Sequence, residues 1–203
     1  GDHPKLPKVE DTIGAPLSPY AVTKQVNELY ASVYSRLYNM EILGLRYFNV
    51  YGRKQDTDGA YAAVIPRFIK QMNLGEPITI NGDGEQTRDF TFIKDVIQAN
   101  ELAATVQDKK ALNTVYKIAF GQRISLNDLV VKVKENFEKL NLNTSDTQIN
   151  YGPKRVGDIE HSYVSIKKAK QLLNFRPQFS LEEGIGFYLK DLMLKMNDGG
   201  VNR

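Results

Sequence analysis

Ser18-Pro19-Tyr20-Ala21-Val22-Thr23-Lys24, with the apolar residues that follow, decides how this chain is organised. Serine is a strong helix N-cap and proline suits the first helical position, so a helix begins at Pro19. Val22, Val26, Leu29, Tyr30, Val33 and Leu37 recur at helical spacing and carry it to about Tyr38. Tyr20 and Lys24 are four apart, which puts a phenol and an ammonium on one helix face. Glu41 to Tyr47 is short and apolar enough for a buried strand. A helix running directly into such a strand is an αβ unit of a parallel sheet, and the fold class is α/β.

The tyrosine–lysine pair has the outline of an acid/base device, because a nearby cation favours a phenolate. A tyrosine with an ordinary pKa of about 10 needs about 4 kcal/mol of differential stabilisation to work as a base near neutrality. One lysine in a desolvated pocket supplies part of that, and a cationic cofactor ring supplies more. Tyr-x-x-x-Lys alone arises often by chance on a lysine-rich helix, so the rest of the chain must decide.

The 203 residues are 41% hydrophobic and 25% charged, an ordinary globular composition for one large domain or two small ones. A net charge of +3 is too small and too evenly spread to indicate nucleic acid. The chain has no cysteine, which excludes disulfides, thiolate catalysis and cysteine-bound metal. His3 and His161 are its only histidines, which argues against zinc. No apolar run approaches membrane-spanning length and no secretory signal is visible, so a cytoplasmic protein is the simplest reading. Asn143-Thr144-Ser145 then reads as a chance match to a glycosylation pattern. Gly1 stands where an initiator methionine is expected and opens a proline-punctuated loop, as if the chain were entered in the middle.

Further along, Ala62 to Leu74 is read as a helix with Pro66 in its first turns, and Pro77 to Asn81 as a strand ending in a turn at Asn81-Gly82-Asp83-Gly84. Arg88 to Ile93 is read as one strand, Asp95 to Gln107 as a helix and Val115 to Ala119 as a strand. Ser125 caps a helix, Gln148 to Tyr151 is a strand, and Ser165 caps a short helix from Ile166 to Leu173. Ser180 with Glu183 three residues on is a capping box for the last helix. Asn197 to Arg203 is polar and glycine-rich, a frayed tail.

Singly, the remaining chemical groups are bland. Asn49 follows a strand end, where loops of an open α/β sheet bind ligands, but it also suits an ordinary turn. Arg88 and Arg155 have the fork that clamps a diphosphate, or they are surface ion pairs with Asp89 and Asp158. Asp158 can hold a ribose hydroxyl or neutralise Lys154 and Arg155, and Gln55 and Ser162 mean nothing alone. Gly82-Asp83-Gly84 lacks the lysine and the strand-to-helix context of a phosphate loop. Nowhere do these residues offer the Gly-rich strand–helix turn that holds a dinucleotide's diphosphate.

Five stretches occur in a meaningful order: Ser-Pro-Tyr-Ala-Val-Thr-Lys (18–24), Leu-Arg-Tyr-Phe-Asn-Val-Tyr-Gly (45–52) and Gly-Ala-Tyr-Ala-Ala-Val-Ile-Pro (59–66), then Ile-Asn-Gly-Asp-Gly-Glu-Gln-Thr-Arg-Asp-Phe (80–90) and Arg-x-Gly-Asp-x-x-His-Ser from Arg155. Together they resemble the extended short-chain dehydrogenase/reductase family of nucleotide-sugar epimerases. The likeness is greatest to bacterial UDP-N-acetylglucosamine 4-epimerases, and it covers nearly the whole chain. It implies an enzyme in two parts, a Rossmann domain holding NAD and a smaller domain binding the UDP-sugar, of which this chain looks like the second half. Residues 1–52 are then a remnant of the Rossmann domain, 53–196 mainly the sugar-nucleotide domain, and 197–203 the tail. On that reading the 203 residues alone neither hold NAD well nor turn over.

The resemblance also assigns roles. Tyr20 is the base that takes the proton from the sugar's 4-hydroxyl while hydride passes to the nicotinamide, and it returns the proton after the 4-keto sugar rotates. Lys24 lowers the tyrosine pKa and bonds the nicotinamide ribose, and Val50 falls where the family touches NAD through its backbone. Asn49 matches a diphosphate and sugar contact, and Arg88 and Arg155 the diphosphate clamp. Thr79, Ile80 and Asn81 match the strand edge that reads uracil, and Asp158 a ribose contact. Gln55, Ala63 and Ser162 fall where N-acetylhexosamine epimerases shape the sugar pocket. The family tends to dimerise through the tyrosine helix, and the stripe at Val26, Tyr30, Val33 and Leu37 suits that or a core-facing helix equally. A UDP-glucuronate decarboxylase or sugar-nucleotide dehydratase of the same superfamily, and a non-catalytic nucleotide-sugar-binding module, are the rival readings. The Gln55 loop and Ala62-Ala63-Val64 favour the epimerase.

Overall fold

The computed structural model of the chain describes residues 3–56, 63–144, 147–154 and 160–198, with side chains as far as Leu194 in the last helix. Ser18 caps the first helix, α1 (Pro19–Tyr38), by accepting a hydrogen bond from the Ala21 N–H, and left-handed Asn39 ends it. The strand β1 (Leu43–Tyr47) follows and pairs in parallel with β6 (Thr114–Ile118), Leu45 opposite Tyr116. β2 (Val50–Tyr51) pairs in parallel with β5 (Thr91–Phe92), and β3 (Ile78–Asn81) with β8 (Ile149–Gly152). β4 (Thr87–Arg88) runs antiparallel to β7 (Ile124–Ser125). The parallel pairings and the intervening helices make an α/β architecture, as the αβ unit at the start of the chain predicts.

Three of the remaining helices surround the larger of two cores. α2 (Val64–Asn73) buries Ile65, Phe68, Ile69 and Met72, and α4 (Leu126–Lys139) buries Leu129, Val130, Val133 and Phe137. With Ile185 and Leu189 of α6 (Leu181–Asp198) they enclose Tyr51, Ile78, Ile80 and Phe92 from the strands. Each such side chain is worth roughly 1.5–3 kcal/mol when fully removed from water. The smaller core joins Ala99 of α3 (Ile93–Thr105) to Tyr116 and Ile118 of β6 and to Ala169 of α5 (Lys167–Leu172), with Phe175 beyond it.

Local signals account for the helix ends. Ser125 accepts from the Asp128 N–H, and Ser180 and Glu183 bond reciprocally in a capping box. Pro66 lies within the first turn of α2, where its missing N–H has no intrahelical acceptor to lose. Gly84, at φ +80°, closes the turn after β3 with its Cα against Asn127, leaving no room for a Cβ.

Three expectations need correction. Arg88 to Ile93 is not one strand: Asp89 and Phe90 turn inward between the two-residue strands β4 and β5, and Ile93 already begins α3. The short helix α5 has Ile166 at its N-cap, with no side-chain cap from Ser165. Asn197 and Asp198 are helical, as the end of α6, while 199–203 of the expected frayed tail lie outside the described residues.

The two faces of α1 differ in how far this chain covers them. Ala21, Gln25, Glu28, Ala31 and Ser35 form the half-covered face toward the body of the protein. Val22, Val26, Leu29, Tyr30, Val33 and Leu37 face away and are exposed, and no residue of the helix is buried. Nothing among the described residues covers the stripe at Val26, Tyr30, Val33 and Leu37.

Candidate active site

Tyr20 stands in the first turn of α1, and Lys24 reaches back one turn to place its ammonium 5.1 Å from the ring centroid. The phenol is 68% exposed, so both groups present an open face. A cation over an exposed aromatic ring is worth about 0.5–1 kcal/mol, enough to bias the two side chains toward each other.

The second part of the site is assembled from two strand ends and a returning segment. Asn49 sits between β1 and β2 in the left-handed region at φ 37°, which asparagine tolerates better than most residues. Its Nδ2 donates to the Asp89 carbonyl at 2.9 Å, while its own carbonyl accepts from the Thr91 N–H. Val50, next to it, pairs with Thr91. Arg88 donates from Nη1 to the Thr87 and Glu160 carbonyls. Ser162 is buried, and its N–H donates to the Thr87 carbonyl, which lays segment 160–162 alongside β4. The fold thus brings Asn49, Val50, Arg88 and Ser162 to one place from sequence positions more than a hundred apart. Arg155 and Asp158 lie outside the described residues.

Gln55 folds back on this cluster, donating from Nε2 to the Val50 carbonyl at 3.2 Å; its Oε1 is buried without a hydrogen-bond partner among the described residues. Ala63 is the N-cap of α2, with its carbonyl accepting from the Arg67 N–H. On β3 the three predicted residues differ sharply. Thr79 is exposed and its carbonyl accepts from Arg67, Ile80 is fully buried in the larger core, and the Asn81 carbonyl accepts from Gln86. Ile80 can therefore offer a ligand only its backbone. Two grooves, of about 530 and 830 Å³, open beside Pro7, Gly121 and Tyr163, and none of the predicted site residues lines them.

By sequence Asp89 is an ion-pair partner for Arg88, but its carboxylate does something else. It is wholly buried and accepts from the Gly121 N–H with both oxygens, at 3.1 and 3.2 Å. The N–H groups of Phe120, Gln122 and Val164 favour its charged form as well, yet burial outweighs them and pushes the carboxyl up to about 7. One side chain thereby ties the Arg88 segment to the turn after β6 and to the segment that carries Ser162. No sequence signal marks it, because its partners lie 31 or more residues away and are backbone groups.

Charge also gathers where α1 meets the sheet. Arg46 on β1 makes a bidentate pair with Glu28 of α1, both contacts at 2.7 Å, and this pairing holds the guanidinium above its ordinary pKa. Lys117, opposite Arg46 on β6, is buried, and burial first and Arg46 second push it down to about 8.

Residues 1–119 match the NAD dependent epimerase/dehydratase family. A putative UDP-glucose 4-epimerase of Methanocaldococcus jannaschii is 37% identical over 91% of this chain and 56% of its own length. The chain belongs to the NAD-dependent epimerase/dehydratase family. The UDP-N-acetylglucosamine 4-epimerase of Methanobrevibacter ruminantium, solved with UDP-N-acetylmuramic acid, superposes with a TM-score of 0.87 at 36% identity, over 97% of this chain and 60% of that one. The UDP-glucuronic acid 4-epimerase of Bacillus cereus, solved with its substrate and NAD, gives 0.79 at 34% identity, over 91% and 56%. The chain spans a little over half the length of these relatives. NAD is the family's cofactor, and the sugar nucleotides of these relatives differ.

Proposed function

We propose that this chain carries the acid/base pair and the sugar-nucleotide site of an NAD-dependent UDP-N-acetylhexosamine 4-epimerase, interconverting UDP-N-acetylglucosamine and UDP-N-acetylgalactosamine. The observation that carries the reading is the Tyr20–Lys24 pair, a phenol and an ammonium in contact on the open first turn of a capped helix. Both are suited to ribose and sugar hydroxyls, and half-buried Val50, whose carbonyl already accepts from Gln55, stands at the strand end beside Asn49. These residues fit the nicotinamide end of NAD, whereas the 203 residues contain no Gly-rich turn for its diphosphate. Turnover by these residues with NAD alone is therefore not expected.

When bound, NAD supplies the hydride acceptor and donor at carbon 4 of the sugar. Tyr20 takes the proton of the 4-hydroxyl as the ketone forms and returns it to the opposite-face alcohol, and the Lys24 ammonium favours the phenolate between those events. Arg88, with Arg155, neutralises the diphosphate, and Asn49 orients it beside the sugar. Thr79 to Asn81 present backbone groups to the uracil, with Asp158 at the ribose. Gln55, Ala63 and Ser162 bound the acetamido pocket, where the buried Gln55 Oε1 is an acceptor for the acetamido N–H. The likeness to the Methanobrevibacter enzyme supports an N-acetylated substrate. The exposed apolar face of α1 supports a homodimer formed through that helix. Residues 1–52 belong on this account to the NAD-binding part and 53–196 mainly to the sugar-nucleotide part. No helix among the described residues is long and apolar enough to cross a membrane, and a cytoplasmic enzyme acting in polysaccharide synthesis fits the substrate.

Calorimetric titration of the chain tests the binding half of the reading. UDP and UDP-N-acetylglucosamine bind, UDP-glucuronate more weakly, and Arg88→Ala weakens all three by roughly ten- to a hundredfold, since a hydrogen bond to a charged group is worth roughly 1.5–3 kcal/mol. Binding of UDP that survives Arg88→Ala and Arg155→Ala together would refute the clamp, and tighter binding of UDP-glucuronate would move the substrate to a uronate.

A further inference from the structure

Hydrophobic burial does not hold the tyrosine helix against the sheet, since α1 has no buried residue. What joins them is a guanidinium. Arg46 donates from Nε to Glu28 Oε1 and from Nη2 to Glu28 Oε2, and its Nη1 donates to the Glu10 carbonyl at 2.8 Å. Glu28 lies one turn beyond Lys24 on α1, and Arg46 lies three residues before Asn49 on β1. The node continues into the neighbouring strand. The Glu10 carboxylate accepts from the Lys117 N–H at 3.0 Å, and the Lys117 ammonium donates to the Val9 carbonyl at 2.7 Å. The N-terminal loop, α1, β1 and β6 therefore meet around one arginine, whose side chain and that of Glu28 are only 21% and 30% exposed.

We propose that Arg46, acting through Glu28, is the positioning residue that sets Tyr20 and Lys24 against the strand end carrying Asn49. The proposal rests on the reading of Tyr20 as the acid/base group. A planar fork bonded at both oxygens fixes the rotation of α1 about its own axis as well as its distance, which a point charge does not. Rotation matters here because Tyr20 and Lys24 project from one side of the helix, and a small turn of the axis would swing the phenol off the sugar's 4-hydroxyl. The main-chain bond to Glu10 fixes the guanidinium plane from a third direction.

The chain contains no cysteine, so Ser32→Cys on α1 and Glu101→Cys on α3, both at exposed positions, take nitroxide labels at those two sites alone. Electron-spin distance measurements and amide hydrogen exchange are then compared for Arg46, Arg46→Lys, Arg46→Met and Glu28→Gln. The expected result is a narrow distance distribution with Arg46 and a broadened one in all three variants. Exchange from Leu29 to Leu37 rises at least tenfold, while α4 amides and UDP affinity stay within twofold. Arg46→Lys keeps the charge and groups with Arg46→Met, because the fork is lost. The proposal is overturned if α1 is unchanged, if Lys restores the narrow distribution, or if α1 and α4 loosen together as in a general loss of stability. Should Arg46→Met fail to fold, Glu28→Gln decides alone, since it leaves the Arg46–Glu10 bond in place. None of these readouts depends on the chemistry of Tyr20, so a Tyr20→Phe change that leaves turnover intact once an NAD-binding part is supplied would sink the catalytic reading and leave the positioning result standing.

Discussion

Asp89→Asn separates charge from shape at the buried carboxylate that follows Arg88. Burial raises this carboxyl from an ordinary 3.8 to about 7. A folded-state pKa above the unfolded one means that the native protein holds the proton more tightly between those values. The group's contribution to stability is therefore complete below about pH 4 and is lost as pH rises through 7. About three units at roughly 1.4 kcal/mol each set its size near 4 kcal/mol, as an order of magnitude. Asparagine has no proton to release in that range. It keeps one oxygen for the Gly121 N–H but turns an amide NH₂ toward the other backbone donors, at a cost of about 1–3 kcal/mol. Urea unfolding of both proteins from pH 4.5 to 8.5 is the assay, and the difference between them cancels the other titrating groups. The parent's stability relative to Asp89→Asn should fall by roughly 3 kcal/mol from pH 5 to pH 8, enough to leave Asp89→Asn the more stable protein at pH 8. A difference that stays constant, or that shifts in the parent's favour with pH, would refute the reasoning: the backbone N–H groups would then outweigh burial and keep the carboxylate ionised.

Three further changes probe the frame and the assembly. Ser180→Ala removes the hydroxyl half of the capping box at α6, leaving the residue-180 N–H to Glu183, and should cost about 1 kcal/mol in chemical unfolding; no change would mean that Glu183 or water replaces the hydroxyl. Gly184→Ala drives a Cβ to 2.0 Å from the Tyr51 hydroxyl, so it should cost roughly 1–3 kcal/mol and lower the midpoint of thermal unfolding, and a neutral result would mean that α6 can move away from β2. Val33→Glu, at a position 39% exposed on α1, should give a monomer in sedimentation with stability within about 0.5 kcal/mol of the parent, and an unchanged mass would exclude this helix from the proposed dimer.

How much of this was legible in the sequence follows from how local each feature is. Ser18, Ser125 and Ser180 announce their helices because capping is completed within three residues, and α1 is written in its own periodicity. The same periodicity is silent about what covers an apolar face, so the stripe from Val26 to Leu37 is marked as apolar without its cover being named, and this chain leaves it exposed. Arg88 to Ile93 looks like one strand because its alternation is right, whereas burial of Asp89 and Phe90 divides it. In the candidate site, Tyr20 with Lys24 is a helix-spacing signal, and Asn49, Arg88 and Ser162 gained meaning only as an ordered set. Asp89 and Arg46 escaped because their partners are a distant turn and a distant helix, and charge next to an arginine suggests an ion pair sooner than a buried clamp.

The central claim is that Tyr20 works at carbon 4 of a UDP-N-acetylhexosamine through a keto intermediate. Fusing this chain behind the NAD-binding part of the Methanobrevibacter relative supplies the cofactor site, and UDP-N-acetylglucosamine deuterated at carbon 4 supplies the probe. The account predicts UDP-N-acetylgalactosamine that retains the deuterium at carbon 4, with turnover at least about 10²-fold lower in Tyr20→Phe. A fusion that folds and binds NAD yet yields a decarboxylated or dehydrated sugar, loses the label, or works equally well with Tyr20→Phe would contradict it.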